Sequence, residues 1–155
     1  METKFHFLAR AFVYTQGRIL LVRVKGSDHT FLPGGHVEFG ESVPAALSRE
    51  MCEELGEECK VGEYLGAVEN AWEYGGIGNA EMNHVFRASL PALDAASSPR
   101  SLEGHIEFLW SLPEELEVNN LKPEPLRECI HRWIGGSRAP WWGSTIAGVE
   151  VSYHP

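Results

Sequence analysis

The chain has 155 residues, enough for one domain with a full core, and its 43% hydrophobic content excludes a disordered polymer. A net charge of −9 weighs against a broad nucleic-acid contact, which needs basic surface against phosphates, but not against a small anionic ligand gripped through metal ions. No apolar run reaches the length of a membrane span, the first residues lack a cleavable signal pattern, and Cys52, Cys59 and Cys129 without CxxC spacing fit a reducing cytoplasm.

The first predicted element is a strand over residues 5–14, with Phe5, Phe7, Ala9, Ala11 and Val13 on one face. Gln16-Gly17 is a turn signal, and residues 18–25 (RILLVRVK) read as the next strand, so the two form a candidate hairpin. A short strand over 30–32 ends at Pro33-Gly34-Gly35. A helix follows over 43–55, with Ser42 as N-cap, Pro44 in its first turn and Gly56 as its stop. Residues 59–73 read as a strand pair or one long bent strand, and 82–90 as another strand, with Gly75-Gly76-Ile77-Gly78 between them as a turn. Residues 92–101 are small and polar, a loop; 106–112 is a strand, 113–116 one short helical turn, and 124–134 a second helix with Leu126, Ile130 and Trp133 at core spacing. Strands, helix, strands, helix in this order predict an α/β sandwich with a mixed sheet. The tail from about 135 to 155 has no assigned role. Its Trp141 and Trp142, with the GVEVSY alternation after them, are expected either to dock on the parent domain or to build a homodimer interface.

The first helix carries the functional signal. Val43, Leu47, Met51 and Leu55 form its core stripe, and Glu50, Glu53 and Glu54 stand at i, i+3 and i+4 on an adjoining arc. These carboxylates repel one another, and two of them occupy the last turn, where the helix dipole favours cations. Placement against local preference points to function. Carboxylate oxygens in this pattern suit hard divalent cations such as Mg²⁺ or Mn²⁺, which can grip a polyphosphate and polarise water. The bland alternative is a solvated acidic face. Cys52 is expected to be a small buried residue facing away from the glutamates.

The spacing around the helix decides between these alternatives. Gly35, five residues, Glu41, seven residues, Arg49-Glu50-Met51, one residue, Glu53-Glu54, one residue, Gly56 resembles the Nudix box of the Nudix hydrolases. Glu57 departs from the aliphatic residue usual at the last position, which touches packing beyond the helix stop more than the acidic set. The resemblance implies a Nudix α/β/α sandwich over residues 1–155 with the box at 35–57. It implies Glu50, Glu53 and Glu54 as metal ligands with a backbone carbonyl of Gly34, and Arg49 orienting a glutamate. Glu41 would pair with that arginine or serve as an outer ligand. Gly34 and Gly35 would form a tight loop before the helix. One of the box glutamates or a carboxylate from a later loop, Glu103 or else Glu107, would be the general base. The reaction implied is Mg²⁺- or Mn²⁺-dependent hydrolysis of a nucleoside diphosphate linked to another moiety: a nucleotide sugar, ADP-ribose or a nucleoside triphosphate. The alternative is a Nudix fold used as a non-catalytic nucleotide sensor or protein-binding module. Such proteins usually lose box glutamates, and none is lost here.

Substrate contacts are expected from two places. Arg23 and Lys25 alternate onto one face of their strand and are candidate phosphate ligands, or simply an exposed strand edge. The segments around Glu69, Asn70, Trp72, Glu73 and Tyr74, and Glu81, Asn83 and His84, pair aromatics with polar groups, as a base- or sugar-recognising wall does. Trp72, Tyr74, Glu81 and His84 are the candidates there, and His84 is equally readable as a structural histidine.

Overall fold

A computed structural model describes residues 1–146. Its eight strands and two helices form two central sheets with a helix on either side. The five-stranded mixed sheet has the order β4-β1-β6-β5-β8, from Gly34–His36, Glu2–Phe12, Ile77–Ser89, Lys60–Tyr74 and Trp141–Ser144. β1 runs parallel to β6 along its whole length, while β5 and β6 form an antiparallel hairpin closed by Gly75-Gly76. The three-stranded sheet is β2-β3-β7, from Tyr14–Thr15, Arg18–Val24 and Ile106–Ser111. Helix α1 spans Val43–Leu55 and α2 spans Pro125–Ile134.

Alternation along β1 and β3 shows why both faces are covered. Phe12, Ile19 and Leu21 pack with Leu126, Cys129, Ile130 and Trp133 of α2. Their neighbours Ala9, Ala11, Leu20 and Val22 pack with Ala46, Leu47, Met51 and Leu55 of α1. Strands covered on both faces lose the simple apolar–polar alternation and become nearly continuous in apolar residues, as RILLV is.

Several expectations are corrected. β1 does not form a hairpin with β3. The chain changes sheets after Phe12, so only Tyr14–Thr15 pairs with β3, and β1 joins β4 and β6 instead. Phe5 and Phe7 are exposed although Ala9 and Ala11 are buried, because β1 runs on past the cover of α1. Of the two readings of residues 59–73, the single bent strand holds, running over 60–74 with register shifts near Tyr64. Gly34 and Gly35 are strand, not loop, paired with Arg10 and Ala9. At Gly34 (φ 137°) a Cβ would lie 1.9 Å from the Ala9 carbonyl oxygen, so only glycine lets β4 approach β1 this closely. Cys52 is exposed. Trp141 is buried against α2 through the parallel pairing of β8 with β5, the docking alternative, while Trp142 remains partly exposed. The GVEVSY segment lies outside the described residues. No helix among the described residues is long and apolar enough to cross a membrane.

Candidate active site

Helix α1 begins where the Ser42 hydroxyl accepts from Ala45 N–H at 3.2 Å, and ends where Gly56 turns left-handed at φ 69°. Between these caps its acidic residues take three different environments. Arg49 is the hub. Its Nε and Nη2 donate to the two oxygens of Glu41 at 2.8 and 3.1 Å, a bidentate pair. Its Nη1 donates to Glu50 Oε1 at 3.0 Å and to Glu53 Oε2 at 3.2 Å, and Nη2 also reaches the His36 carbonyl at 2.9 Å. Hydrogen bonding from Arg49 holds the Glu41 carboxyl below its ordinary pKa, and Glu41 in turn raises that of the guanidinium.

Glu50 is pressed onto the backbone of β4. A Cβ built on Gly35 would fall 2.4 Å from the Glu50 carboxyl carbon, so the absence of a side chain at 35 makes the seat of this carboxylate. Gly35→Ala should displace Glu50 and lower turnover about 100-fold, the scale on which ångström misplacement acts, while leaving the fold intact. Steady-state kinetics beside a thermal melt checks this; unchanged turnover would mean that the Glu50 position is immaterial.

Glu54 differs from both. It stands two helical turns after Leu47, inside the apolar stripe, and is 7% exposed. Its Oε2 is buried without a hydrogen-bond partner. Burial pushes its carboxyl up to about 8, with repulsion from Glu50 and Glu103 adding to the effect. Glu103 reaches this neighbourhood because the loop before β7 is tied to the end of the helix, Leu102 N–H donating to the Glu54 carbonyl at 2.7 Å.

A cleft of about 430 Å³ opens on the α2 side of the mixed sheet, lined by Arg10, Phe31, Trp72, Glu81 and Asn83, with Lys122 and Glu124 ahead of α2. Arg10 joins cleft and helix. It donates to Asn83 Oδ1 at 3.0 Å and to the Leu32 carbonyl at 3.2 Å, and lies over the Phe31 ring. Burial lowers its pKa against the opposing charges of Glu81, Glu54 and Glu50, which places acids from both sides around one guanidinium.

The residue pattern, the seating of Glu50 and the match of the NUDIX domain family to residues 4–133 agree. The chain belongs to the Nudix family. It is similar to the E. coli ORF135 protein, at 30% identity over 88% of this chain and 96% of that one, with a TM-score of 0.64. Its fold is also that of a MutT protein from Methanosarcina mazei Go1 (23% identity, 90% of this chain and 99% of that one, TM-score 0.67). A UDP-X diphosphatase shares it too (20% identity, 90% and 67%, TM-score 0.61).

In this Nudix chain the sequence-derived candidates divide. Trp72 and Glu81 line the cleft, and Glu103 stands beside Glu54. Arg23 pairs with Glu107 on β7 at 3.8 Å. Lys25 lines a separate cleft of about 520 Å³ that includes Glu103. Tyr74 is 80% exposed beside the hairpin turn. His84 points to the opposite face of the sheet from Asn83, packed on Phe7 and within 3.0 Å of the Tyr64 hydroxyl. Arg10 escaped the sequence reading; its signal was a lone arginine within the otherwise apolar run LARAFV.

Among the described residues no three His, Cys, Asp or Glu side chains form a ready-made metal shell. Glu50 and Glu53 are engaged by Arg49, and Glu54 faces inward. The donor set nevertheless fits a hard divalent cation: oxygen ligands only, and one buried carboxylate oxygen left without a hydrogen-bond partner.

Proposed function

We propose that the protein is a Mg²⁺- or Mn²⁺-dependent pyrophosphohydrolase that cleaves a nucleoside diphosphate linked to a further moiety, by attack of water at phosphorus. The observation that carries this reading is the orphaned, buried Oε2 of Glu54 among the box acids, whose charge faces Arg10 on the floor of a cleft large enough for a nucleoside. A charge this poorly solvated is costly unless a ligand compensates it. Glu50, Glu53 and Glu54 would hold the cation, with the Gly34 carbonyl as a backbone donor. When bound, the cation supplies counter-charge to the diphosphate oxygens and makes water more acidic.

The chain's own residues do the remaining work. Arg49 fixes the carboxylates of Glu50 and Glu53, and Glu41 fixes Arg49. Trp72 and Phe31 give the cleft aromatic walls on which a base can stack. To Glu53, half-exposed at the helix surface, or Glu103, next to Glu54, the reading assigns the proton from the attacking water.

The test is turnover across ADP-ribose, nucleotide sugars, ordinary and oxidised nucleoside triphosphates and a dinucleoside polyphosphate, with Mg²⁺ or Mn²⁺. Metal-dependent release of nucleoside monophosphate that disappears with EDTA and in Glu53→Gln is the expected result. Metal should also stabilise the fold by mass action, by about 4 kcal/mol at a thousandfold excess over its Kd, and so raise the melting temperature. Nucleotide binding without turnover would instead identify a sensor, and activity untouched by EDTA would refute metal dependence.

A further inference from the structure

Within the cleft, most polar groups are already spoken for. Asn83 is saturated: its oxygen accepts from Arg10, and its amide donates to the Val68 carbonyl at 3.3 Å and to Glu81 Oε1 at 2.9 Å. Asn70, directly across the strand pair from Glu81, donates to the same Oε1 at 3.3 Å, and its own oxygen accepts from the Thr145 hydroxyl at 2.5 Å. Lys122 and Glu124 are paired with each other. Two amides therefore pin one oxygen of Glu81, while none of the hydrogen bonds among the described residues reaches Oε2, the other oxygen of a cleft-lining side chain. The amide orientations are fixed by chemistry: reversing Asn83 would set its oxygen against a carboxylate and its amine against a guanidinium.

A carboxylate held in this way is an acceptor committed to a direction before any ligand arrives. It repels phosphate, so it does not serve the diphosphate. Trp72, two residues beyond Asn70 on the same face of β5, lines the same cleft and stacks with His6 at 5.9 Å. Arg10, which also lines the cleft, uses two of its five N–H groups on Asn83 and Leu32 and keeps the others as donors. An aromatic surface with a fixed acceptor and nearby donors at its edge is the complement of a heterocycle that carries an amino group next to a ring acceptor.

We propose that Glu81 is the base-selecting residue of this site, and that the enzyme prefers nucleotides whose base bears an exocyclic amino group over the matching oxo base. The preference rests on the pyrophosphohydrolase reading above and refines it. Adenine and cytosine offer an amino donor to Glu81 Oε2; hypoxanthine and uracil put a carbonyl oxygen at that position, against a carboxylate. A buried polar group left facing like polarity discriminates far more strongly than a missing methyl group does.

The experiment compares kcat/KM for the isosteric pairs ATP with ITP and CTP with UTP, in the wild type and in Glu81→Gln and Glu81→Ala, with melting curves to confirm folding. The expected result is an amino-over-oxo ratio of about 10 to 100 in the wild type. In both variants that ratio should collapse towards 1, with hydrolysis of the oxo nucleotides retained or increased. Equal rates on both members of each pair, or a preference that persists in the variants, overturns the assignment; so does a uniform loss on all four nucleotides, which would mean that Glu81 holds the ribose or only supports the fold. Should none of the four be hydrolysed, the wider panel above decides the pyrophosphohydrolase reading separately, and thermal shifts by the same four nucleotides still decide whether Glu81 selects the base.

Discussion

Glu54→Gln should remove turnover and, in the metal-free protein, raise stability. The two effects have one cause. The carboxylate is buried, its Oε2 has no partner, and its pKa is pushed up to about 8 by burial and by Glu50 and Glu103. Because the folded-state pKa lies above that of the unfolded chain, the contribution to stability is full below about pH 4.5. It is lost as the pH rises, as the unfolded chain releases a proton that the folded one retains, and the loss is complete above about pH 8. The metal-free wild type should therefore be less stable at pH 9 than at pH 5 by roughly 2–4 kcal/mol, and Glu54→Gln should flatten that slope. Around pH 8.5 the variant should melt about 5–10 °C higher. Its kcat should fall on the order of 10²–10³-fold, the usual loss when one preorganised charge at a reacting centre is removed. Melts across pH in EDTA, beside kinetics in Mg²⁺, check both halves. A variant that is inactive but no more stable would mean that Glu54 finds a compensating partner in the apo protein.

The second large effect belongs to Arg49. One guanidinium holds Glu41, Glu50 and Glu53 together and is bound in turn to the His36 carbonyl. Arg49→Ala leaves those carboxylates and Glu54 to repel one another, so Glu50 should leave its seat on Gly35. Turnover and apparent metal affinity should each drop about 10–100-fold, as for other residues that orient metal ligands. Arg49→Lys should recover only part of this, since a point charge cannot reproduce the planar fork. The Glu41 carboxyl, lowered by its bonds to Arg49, contributes stability above its ordinary pKa and loses it as pH falls. That acid-side decline should be weaker in Arg49→Ala. Full activity in Arg49→Lys would reduce the role of Arg49 to its charge alone.

Helix α1 was legible in the sequence from cap to cap because its signals are local: Ser42 before it, Gly56 after it, and an apolar stripe of period 3.6 between them. The acidic arc was legible for the same reason, since i, i+3 and i+4 spacing is fixed by the helix itself. What the pattern could not show was that the three glutamates are unequal. Whether an acid on that arc lies in water or beneath the sheet depends on which strands pack against the helix, and this put Glu54 inside and Cys52 outside.

The strands were harder to read, because their partners are chosen over long separations. An alternating run predicts a strand and says little about its neighbour. The chain therefore placed β1 beside β6, some seventy residues on, rather than beside the nearby β3. That choice put Arg10 against Asn83 and on the floor of the cleft on the α2 side of the sheet. It also turned His84 away and left Arg23 to Glu107. The sequence by itself determined the helix, its caps and the carboxylate chemistry, all encoded within a few residues. Tertiary structure alone decided which carboxylate loses its water, which cations face the cleft and which oxygen of Glu81 is left to meet a ligand, because burial and long-range pairing exist only once the sheets have closed.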